Sequence, residues 1–200
     1  MGKYNGPKRR LSKREGVALF KKDIKYIERK GAVPPGMRGT KVRPRFSEYG
    51  TQLREKQKAK RMFGLTEKQF RRTYEEAART KTATGRKMLE LLETRLDNVV
   101  YRLGFAASRA QARQFVGHGL VAVNEIKLDI PSAQVRPNSV VAISSKIVDN
   151  TQIKKNLDEN PDVPAWLERK GMAGKVLRLP QRDEMEKGIS EQLIVEFYSR

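Results

Sequence analysis

Apolar residues at helical spacing indicate a first helix near the start of the chain. Ser12 and Glu15 have the spacing of a capping box, in which the two side chains satisfy backbone N–H groups at a helix N-terminus. The apolar positions that follow recur every three or four residues, at Val17, Phe20, Ile24 and Ile27. The pattern predicts a helix that begins at Ser12 and ends at Gly31.

Two more helices are predicted after a stretch without regular pattern. Residues 31–50 contain three prolines and four glycines, so we expect irregular structure there. Residues 52–64 (QLREKQKAKRMFG) predict a helix with basic side chains around its circumference. Thr66 and Gln69 form a second capping box. The narrow apolar stripe behind that box consists of Phe70, Tyr74 and Ala77.

The middle of the chain is the most regular part. A continuous apolar face predicts one helix that stops at Gly104. The residues of this face are Leu89, Leu92, Leu96, Val99, Val100 and Leu103. Ser108 with Gln111 then caps a short second helix, which ends at Gly117 or Gly119.

Short apolar runs predict strands after these helices. They cover residues 120–123, 126–130 and 140–144, and a helical pattern follows near residues 150–160. The last apolar run, residues 191–198 (EQLIVEFY), is interpreted as a strand docked on the body of the protein. Helices and a small sheet in separate blocks are typical of an α+β fold.

We therefore predict three parts of the chain. A basic, mostly helical N-terminal region covers residues 1–91, and a compact helix–helix–sheet unit covers residues 92–150. A C-terminal segment, residues 151–200, is expected to pack back on the body and complete it. A chain of 200 residues is long enough for one or two domains.

The charge is concentrated at the start of the chain. The formal net charge is +20, and residues 1–61, with 20 basic and 5 acidic side chains, carry +15 of it. Residues 151–200, with 9 of each kind, are neutral. Such an imbalance predicts a polyanionic partner, nucleic acid above all, that faces the N-terminal region.

Missing residue types exclude several kinds of chemistry. The sequence has no cysteine, which excludes disulfides, thiolate metal sites and cysteine nucleophiles. His118 is the only histidine, so sites with several histidine ligands are excluded as well.

The sequence GMAGK (residues 171–175) lacks the spacing of a phosphate-binding loop and predicts a turn. No apolar run is long enough for a membrane span, and the N-terminus has no apolar signal core, so we expect a cytoplasmic protein.

Four arginines in the middle unit suggest a binding surface. Arg95 and Arg102 are seven residues apart on the first predicted helix, and Arg109 and Arg113 are four apart on the second. Each spacing places two guanidinium groups on one helix face, which we expect to be exposed to solvent, with His118 close by. Converging guanidinium groups suit an RNA backbone, although a solvated arginine face is an equally frequent reading of such spacing.

Residues 95–144 (RLDNVVYRLGFAASRAQARQFVGHGLVAVNEIKLDIPSAQVRPNSVVAIS) resemble the S4-type RNA-binding motif over its full length. Three other blocks resemble the family of the bacterial-type ribosomal small-subunit protein four. They are KYNGPKRRLSKREG at the start, SEYGTQLREKQKAKRMFGLTEKQFRRTYEEA in residues 47–77, and EQLIVEFYSR at the end. Together the blocks extend from Lys3 to Arg200, so the resemblance covers nearly the whole chain.

The resemblance implies a structural protein of the small ribosomal subunit and not an enzyme. Its relatives are primary binders of the 5′ domain of 16S-type rRNA, nucleate assembly of the subunit body and contribute to translational accuracy. The implied partners are that rRNA, the neighbouring small-subunit proteins five and twelve, and mRNA near its entry path, with no membrane. The rRNA-binding residues implied by position are Tyr4, Arg9, Arg10, Lys13, Arg14, Lys56, Lys58, Arg61, Arg71, Arg72, Arg95, Arg102, Arg109, Arg113 and His118.

The chain departs from this family in two places. Many relatives hold zinc through four cysteines, whereas Arg9 and Ser12 stand in two of those positions here, so we expect no metal and no cofactor. The hairpin turn that is usually Asn-Gly reads Asn124-Glu125, from which we expect a different turn type and no assured RNA contact at its tip. Trp166 lies in a segment that is not basic and is expected to be a packing residue.

Two other functions are compatible with the motif alone. An RNA-modifying enzyme or an aminoacyl-tRNA synthetase can carry such a motif, but each needs a separate catalytic domain, for which the flanking residues offer no motif. A ribosome-rescue or heat-shock-type factor would resemble this chain at the motif and not at its two ends. The matches at both ends favour the ribosomal protein.

Overall fold

A computed structural model describes residues 4–31, 33–36, 46–144, 147, 151–159 and 163–200. Its helices are α1 (Lys8–Glu15), α2 (Lys21–Lys30), α3 (Glu48–Met62), α4 (Glu67–Ala78), α5 (Thr84–Glu93), α6 (Leu96–Arg102), α7 (Arg109–Gly117), α8 (Thr151–Glu159) and α9 (Glu191–Ser199). Its strands are β1 (Val121–Val123), β2 (Ile126–Lys127), β3 (Val140–Ile143), β4 (Leu167–Lys170) and β5 (Ala173–Val176). The predicted α+β class is confirmed.

The chain divides into two compact units. The first consists of Met1–Gly85 together with Gly188–Arg200, and the second of Arg86–Lys187. Within the predicted irregular stretch, residues 37–45 lie outside the described residues. Helix α3 already begins at Glu48, because Ser47 accepts a hydrogen bond from the Gly50 N–H and caps it.

The first unit is built around α3, against which α9 and α1 pack. Phe70 of α4 is fully buried, and its ring centroid lies 6.4 Å from that of Tyr198. Tyr198 also stacks on Tyr74 of α4 at 4.6 Å. The predicted capping box of Thr66 and Gln69 is confirmed at the start of α4.

The interpretation of residues 191–198 as a strand is wrong. They form α9, in which Ile194 is buried and Tyr198 lies one turn later on the same side. An unbroken apolar run fits a strand or a buried helix equally well. The contact of α9 with α3 selects the helix here.

The predicted helix from Ser12 to Gly31 is also wrong, because two helices occupy this region. Pro7 precedes the first residue of α1, and Gly16, at φ 73°, ends that helix. Ser12 therefore lies inside α1 and caps no helix. Its buried hydroxyl donates to the Asp23 carboxylate of α2 across 2.6 Å, which joins the two helices.

The second unit contains an antiparallel sheet of the order β2-β1-β3-β5-β4 among the described residues. One core lies between this sheet and the helices α6 and α7, with Trp166 fully buried in it as predicted. Gly174 of β5 allows close packing, because a Cβ atom there would lie 2.4 Å from Cδ2 of Leu103, the C-terminal cap of α6. The Ser108 cap of α7 and the predicted strands at β1 and β3 are confirmed, whereas β2 ends at Lys127 and covers only the start of the predicted run 126–130.

The single helix predicted for residues 89–103 is broken into α5 and α6. Arg95 is extended, at φ −62° and ψ 138°, and forms a β-bridge with Gln134. The backbone on either side bonds to the same loop, with Val135 N–H donating to Thr94 O at 2.9 Å and Leu96 N–H to Ala133 O at 2.8 Å. These bonds take the place of helical ones, so the helix stops and restarts.

The turn at Asn124-Glu125 keeps the geometry that the sequence argued against. Both residues have positive φ, 49° and 70°, as in the tight hairpin turn that favours Asn-Gly. The expectation of a different turn type is therefore wrong. The Asn124 side chain accepts a hydrogen bond of 2.8 Å from Val140 N–H, which ties the turn to β3 and offsets the strain at Glu125.

Candidate nucleic-acid interface

An exposed cluster of cations surrounds Tyr26 of α2. The guanidinium carbon of Arg9 lies 4.4 Å from the ring centroid, and the Nζ atoms of Lys13 and Lys30 lie at 5.1 and 5.8 Å. A hydrogen bond from Lys13 and the nearby positive charges lower the pKa of Tyr26 below its usual value. Arg9 also forms an ion pair with Asp23 of α2, at 3.6 Å. Positively charged side chains of α1 and α2 thus lie side by side on one surface.

The remaining basic residues of these two helices are turned outward. The predicted residues Tyr4, Arg10 and Arg14 are exposed. Sequence reasoning did not single out the exposed basic residues of α2, which are Lys21, Lys22, Lys25, Arg29 and Lys30. The signal for them was the net charge of residues 1–61, which exceeds what the predicted residues supply. We call the exposed basic residues of α1 and α2, with Tyr26, the N-terminal basic surface.

The predicted residues of α3 are engaged in ion pairs within the first unit. Lys56 is buried, with its Nζ 2.7 Å from a Glu67 oxygen and 4.3 Å from the Phe197 ring centroid. Lys58 pairs with Glu55 at 2.9 Å. Lys56 therefore connects α3 with α4, whereas the pair of Lys58 and Glu55 lies within α3.

Arg61 and Arg54 of α3 share one buried carboxylate, that of Glu15 at the end of α1. Arg54 lies 3.1 Å from it, and Arg61 forms a second ion pair with the same oxygen. Burial raises the pKa of Glu15, and the charges of the two arginines oppose this only in part. Arg61 therefore serves to connect α1 with α3.

Helix α4 carries the predicted residues Arg71 and Arg72, and both are exposed. Arg71 pairs with Glu75 one turn later at 3.0 Å. An exposed pair of this kind is weak, so it leaves the guanidinium available to a stronger anion such as phosphate.

In the second unit, Arg102 and Arg109 both contact the carboxylate of Glu186. Glu186 lies two residues after a short helical turn, Arg182–Glu184. Arg102 donates to Glu186 at 3.3 Å, and Arg109 pairs with the same Oε2 atom. Arg102 also donates to Glu93 of α5, at 2.6 and 3.0 Å. Arg109 donates to the Asn98 side-chain oxygen at 2.8 Å.

Glu93 is the buried centre of this cluster. Its side chain has no exposed surface, and it accepts hydrogen bonds from Arg102, from Asn98 at 2.6 Å and from the Glu186 N–H at 3.0 Å. Burial by itself favours a protonated Glu93, but the charge and hydrogen bonds of Arg102 outweigh it and hold the pKa below its usual value. The same pair raises the pKa of Arg102.

Arg95 and Arg113 form the other pair, around Asp97. Arg95 holds this carboxylate with two hydrogen bonds, at 3.0 and 3.2 Å, and Arg113 lies 3.9 Å from it. Sequence spacing paired Arg95 with Arg102 and Arg109 with Arg113. The first pair is wrong, because Arg95 precedes α6 in extended conformation and shares no helix face with Arg102. Arg109 and Arg113 do lie one turn apart on α7, although they contact different carboxylates.

The expected solvent-exposed arginine face is wrong as well. The side chains of Arg95, Arg102, Arg109 and Arg113 are 6–19% exposed. The carboxylates of Glu93, Asp97 and Glu186 draw them against the body of the unit, since a half-buried guanidinium needs a nearby counter-charge.

His118 lies at the C-terminal cap of α7 and is exposed. Gly119 follows at φ 65°, and the Lys127 side chain crosses it so closely that a Cβ atom at Gly119 would lie 2.2 Å from Lys127 Cε. A basic side chain of the hairpin thus lies at the turn after α7.

Comparison with known families shows which proteins this chain is similar to. Residues 3–93 match the family described as Ribosomal protein S4/S9 N-terminal domain, and residues 94–141 match the S4 domain. The small ribosomal subunit protein uS4 of Dictyoglomus turgidum is 50% identical over 207 aligned residues that cover all of both chains. The chain belongs to the uS4 family.

Other uS4 proteins give the same result. Those of Natranaerobius thermophilus and Thermus thermophilus are 48% and 47% identical, again over the whole of both chains. The boundary between the two matched domains, at residues 93 and 94, coincides with the end of α5. The resemblance to this family and to the S4-type motif is confirmed.

Two further observations concern metals and membranes. In the part of the chain that the structure describes, no group of three or more His, Cys, Asp or Glu side chains could hold a metal ion. No helix of the described residues is long and apolar enough to cross a membrane.

Proposed function

We propose that this chain is a primary rRNA-binding protein of the small ribosomal subunit that binds the 5′ domain of 16S-type rRNA. Members of the uS4 family are structural proteins of the small subunit that carry an RNA-binding S4 domain, and they are not enzymes. In the cytoplasm the chain nucleates assembly of the subunit body and contributes to translational accuracy.

The observation that supports RNA binding most strongly is the N-terminal basic surface. Two short helices carry exposed basic side chains around Tyr26, which is held beneath Arg9, Lys13 and Lys30. Lysine and arginine side chains neutralise phosphates, and arginine can also stack on bases. The proposed direct contacts in this region are Tyr4, which precedes α1, and Arg9, Arg10, Lys13 and Arg14 of α1.

The other proposed rRNA-binding residues differ in how they are held. Arg71, Arg72 and His118 are exposed and can meet the RNA directly. The remaining ones, Lys56, Lys58, Arg61, Arg95, Arg102, Arg109 and Arg113, contact carboxylates of the chain. The arginines of this set are already oriented by these contacts, so their guanidinium groups can bind phosphate with little further loss of side-chain entropy.

The proposal divides the work among three segments of the chain. Residues 1–91 supply the RNA-facing basic region, residues 92–150 the S4-type motif, and residues 151–200 the segment that completes the body. The proposed protein neighbours are small-subunit proteins five and twelve, and mRNA passes near the chain at its entry path.

The alternatives have lost their support. A synthetase, a modifying enzyme or a rescue factor would match this chain at the S4 domain alone. The relatives instead match over 100% of the chain and 100% of their own length.

The direct experiment is a binding titration with a 5′-domain fragment of 16S-type rRNA and, as control, a fragment of equal length from another domain. We expect specific binding to the first at moderate salt. Sedimentation after a high-salt wash should leave the chain on the small subunit. Equal affinity for both fragments, or loss of the chain in the wash, would contradict the proposal.

A further inference from the structure

Glu186 occupies an unusual place among the arginines of the second unit. Its Oε2 atom contacts two guanidinium groups from different helices, Arg102 of α6 at 3.3 Å and Arg109 of α7. One oxygen anion between two converging arginines is also the arrangement by which proteins hold an RNA phosphate. The carboxylate therefore stands where a phosphate oxygen would be bound.

Glu186 differs from the other carboxylate of this cluster, Glu93. The Glu93 side chain is fully buried and makes two hydrogen bonds to Arg102, so its removal would leave Arg102 without its buried counter-charge. The Glu186 side chain is 22% exposed, the most exposed in the cluster. Rotation of this side chain alone would bring its carboxylate into water.

The backbone of Glu186 does not depend on the position of its carboxylate. Its N–H donates to Glu93 Oε1 at 3.0 Å, and the preceding residue, Met185, is buried. The turn therefore stays in place when the side chain moves. Arg102 keeps Glu93, and Arg109 keeps its hydrogen bond to Asn98 at 2.8 Å.

We propose that the Glu186 carboxylate is an internal phosphate substitute, which covers Arg102 and Arg109 in the free protein and is displaced by an rRNA phosphate on binding. This inference rests on the proposed rRNA-binding function. The exchange replaces one anion with another on the same two guanidinium groups. Its consequence is discrimination: an isolated weak anion does not displace a tethered carboxylate, whereas a phosphate presented by an RNA held at other contacts does.

The test compares Glu186→Gln with Glu168→Gln in titrations with the 5′-domain rRNA fragment. Glu168 lies in the same unit and pairs with Lys170 at 2.9 Å, so both variants lose one negative charge while only the first uncovers the arginines. General attraction to RNA rises equally in the two. We expect Glu186→Gln to bind about two- to fivefold tighter than Glu168→Gln, the range that a modest ion pair represents. Equal or weaker binding would overturn the inference.

A double variant locates the effect. In the background of Arg109→Ala, the gain of Glu186→Gln over the control variant should be smaller than in the unaltered chain, because one of the two uncovered guanidinium groups is missing. A gain that persists in full would mean that Glu186 acts elsewhere, and the inference would be wrong.

A measurement on the unaltered chain tests the inference even if the variants do not fold. The carboxyl carbon resonance of Glu186 should move to the position of a solvated carboxylate when the rRNA fragment is bound, while that of Glu93 stays in place. An unmoved Glu186 resonance in the bound state overturns the inference and leaves the proposed function intact. Failure of the unaltered chain to bind the fragment would overturn both.

Discussion

Tyr198, near the end of α9, donates a hydrogen bond of 2.9 Å to the Glu67 carboxylate at the start of α4. The same carboxylate accepts from Lys56 at 2.7 Å and from Lys60 at 2.8 Å. Partial burial acts to raise the pKa of Glu67, but these three hydrogen bonds outweigh it and lower the pKa to about 2. One ionised side chain thus connects α3, α4 and α9.

The stability of the first unit should therefore depend on acid through Glu67. Its pKa is lowered by folding, so its contribution is fully present above the ordinary pKa of 4.5 and is lost as the pH falls towards 2. Glu67→Gln should reduce the free energy of unfolding at pH 7 by about 1 kcal/mol, a value discounted because the side chain is 45% exposed. Denaturant titrations from pH 7 to pH 2 measure this.

The matched control is Glu75→Gln, which removes an exposed carboxylate from the same helix. Glu75 pairs with Arg71, one turn earlier on α4, at 3.0 Å. Its replacement should change stability by less than about 0.5 kcal/mol. A variant of Glu67 whose unfolding free energy kept the full acid dependence would refute the role of this carboxylate.

Replacement of Glu93 should be severe. Glu93→Ala leaves the mostly buried Arg102 without its main counter-charge, so we expect a loss of about 3–5 kcal/mol of unfolding free energy. Glu90→Ala on the same helix removes only a partner of Lys87 and should cost less than about 1 kcal/mol. Thermal melts of the two variants compare these costs. Equal melting temperatures would contradict the assignment of Glu93 as the centre of the cluster.

Substitutions at Arg109 and Leu96 should affect rRNA affinity and folding stability to different extents. Arg109→Ala should weaken rRNA binding and also cost about 1–2 kcal/mol of stability, because the side chain bonds to Asn98 and Glu186. Leu96→Ala, at a fully buried site, should cost about 2–5 kcal/mol of stability and should weaken binding only through unfolding. Paired melts and titrations test this. An Arg109 variant that is folded and binds normally would remove this residue from the interface.

Binding to the 5′-domain fragment should depend steeply on salt. If about eight basic residues meet phosphates, the plot of log K against log salt should have a slope of about −6 to −7. Replacement of the exposed Arg10 by Ala should reduce the steepness by about 0.7–0.9. A slope of about −2 in the unaltered chain would mean that most of the charge does not contact RNA.

The hairpin turn offers a stabilising substitution. Glu125 has φ 70°, a conformation that glycine adopts without strain, so Glu125→Gly should raise the free energy of unfolding by about 0.5–1 kcal/mol. Glu125→Ala keeps the strained side-chain position and removes the same charge, so it should give no gain. Denaturant titrations distinguish the two variants. A loss of stability in the glycine variant would contradict the strain assigned to this turn.

The sequence by itself determined those structural features that depend on hydrogen bonds between residues close together in the chain. The Thr66–Gln69 capping box and the Ser108 cap depend on side chains within three residues of their partners, and both were predicted. The strands β1 and β3 followed from apolar patterns, and the packing role of Trp166 was predicted because its segment is not basic. The concentration of charge in residues 1–61 indicated a nucleic-acid partner, because charge does not depend on the fold.

Tertiary structure decided what depends on residues far apart in sequence. The break before α6 comes from bonds of Thr94 and Leu96 to residues about 40 positions later, which no helical pattern contains. The helical form of α9 depends on its packing against α3. The arginines of the second unit are paired by Glu93, Asp97 and Glu186, and the last of these lies 84 residues from Arg102. Sequence spacing gives the face of a helix, but the counter-charges that cover that face are brought there by the fold.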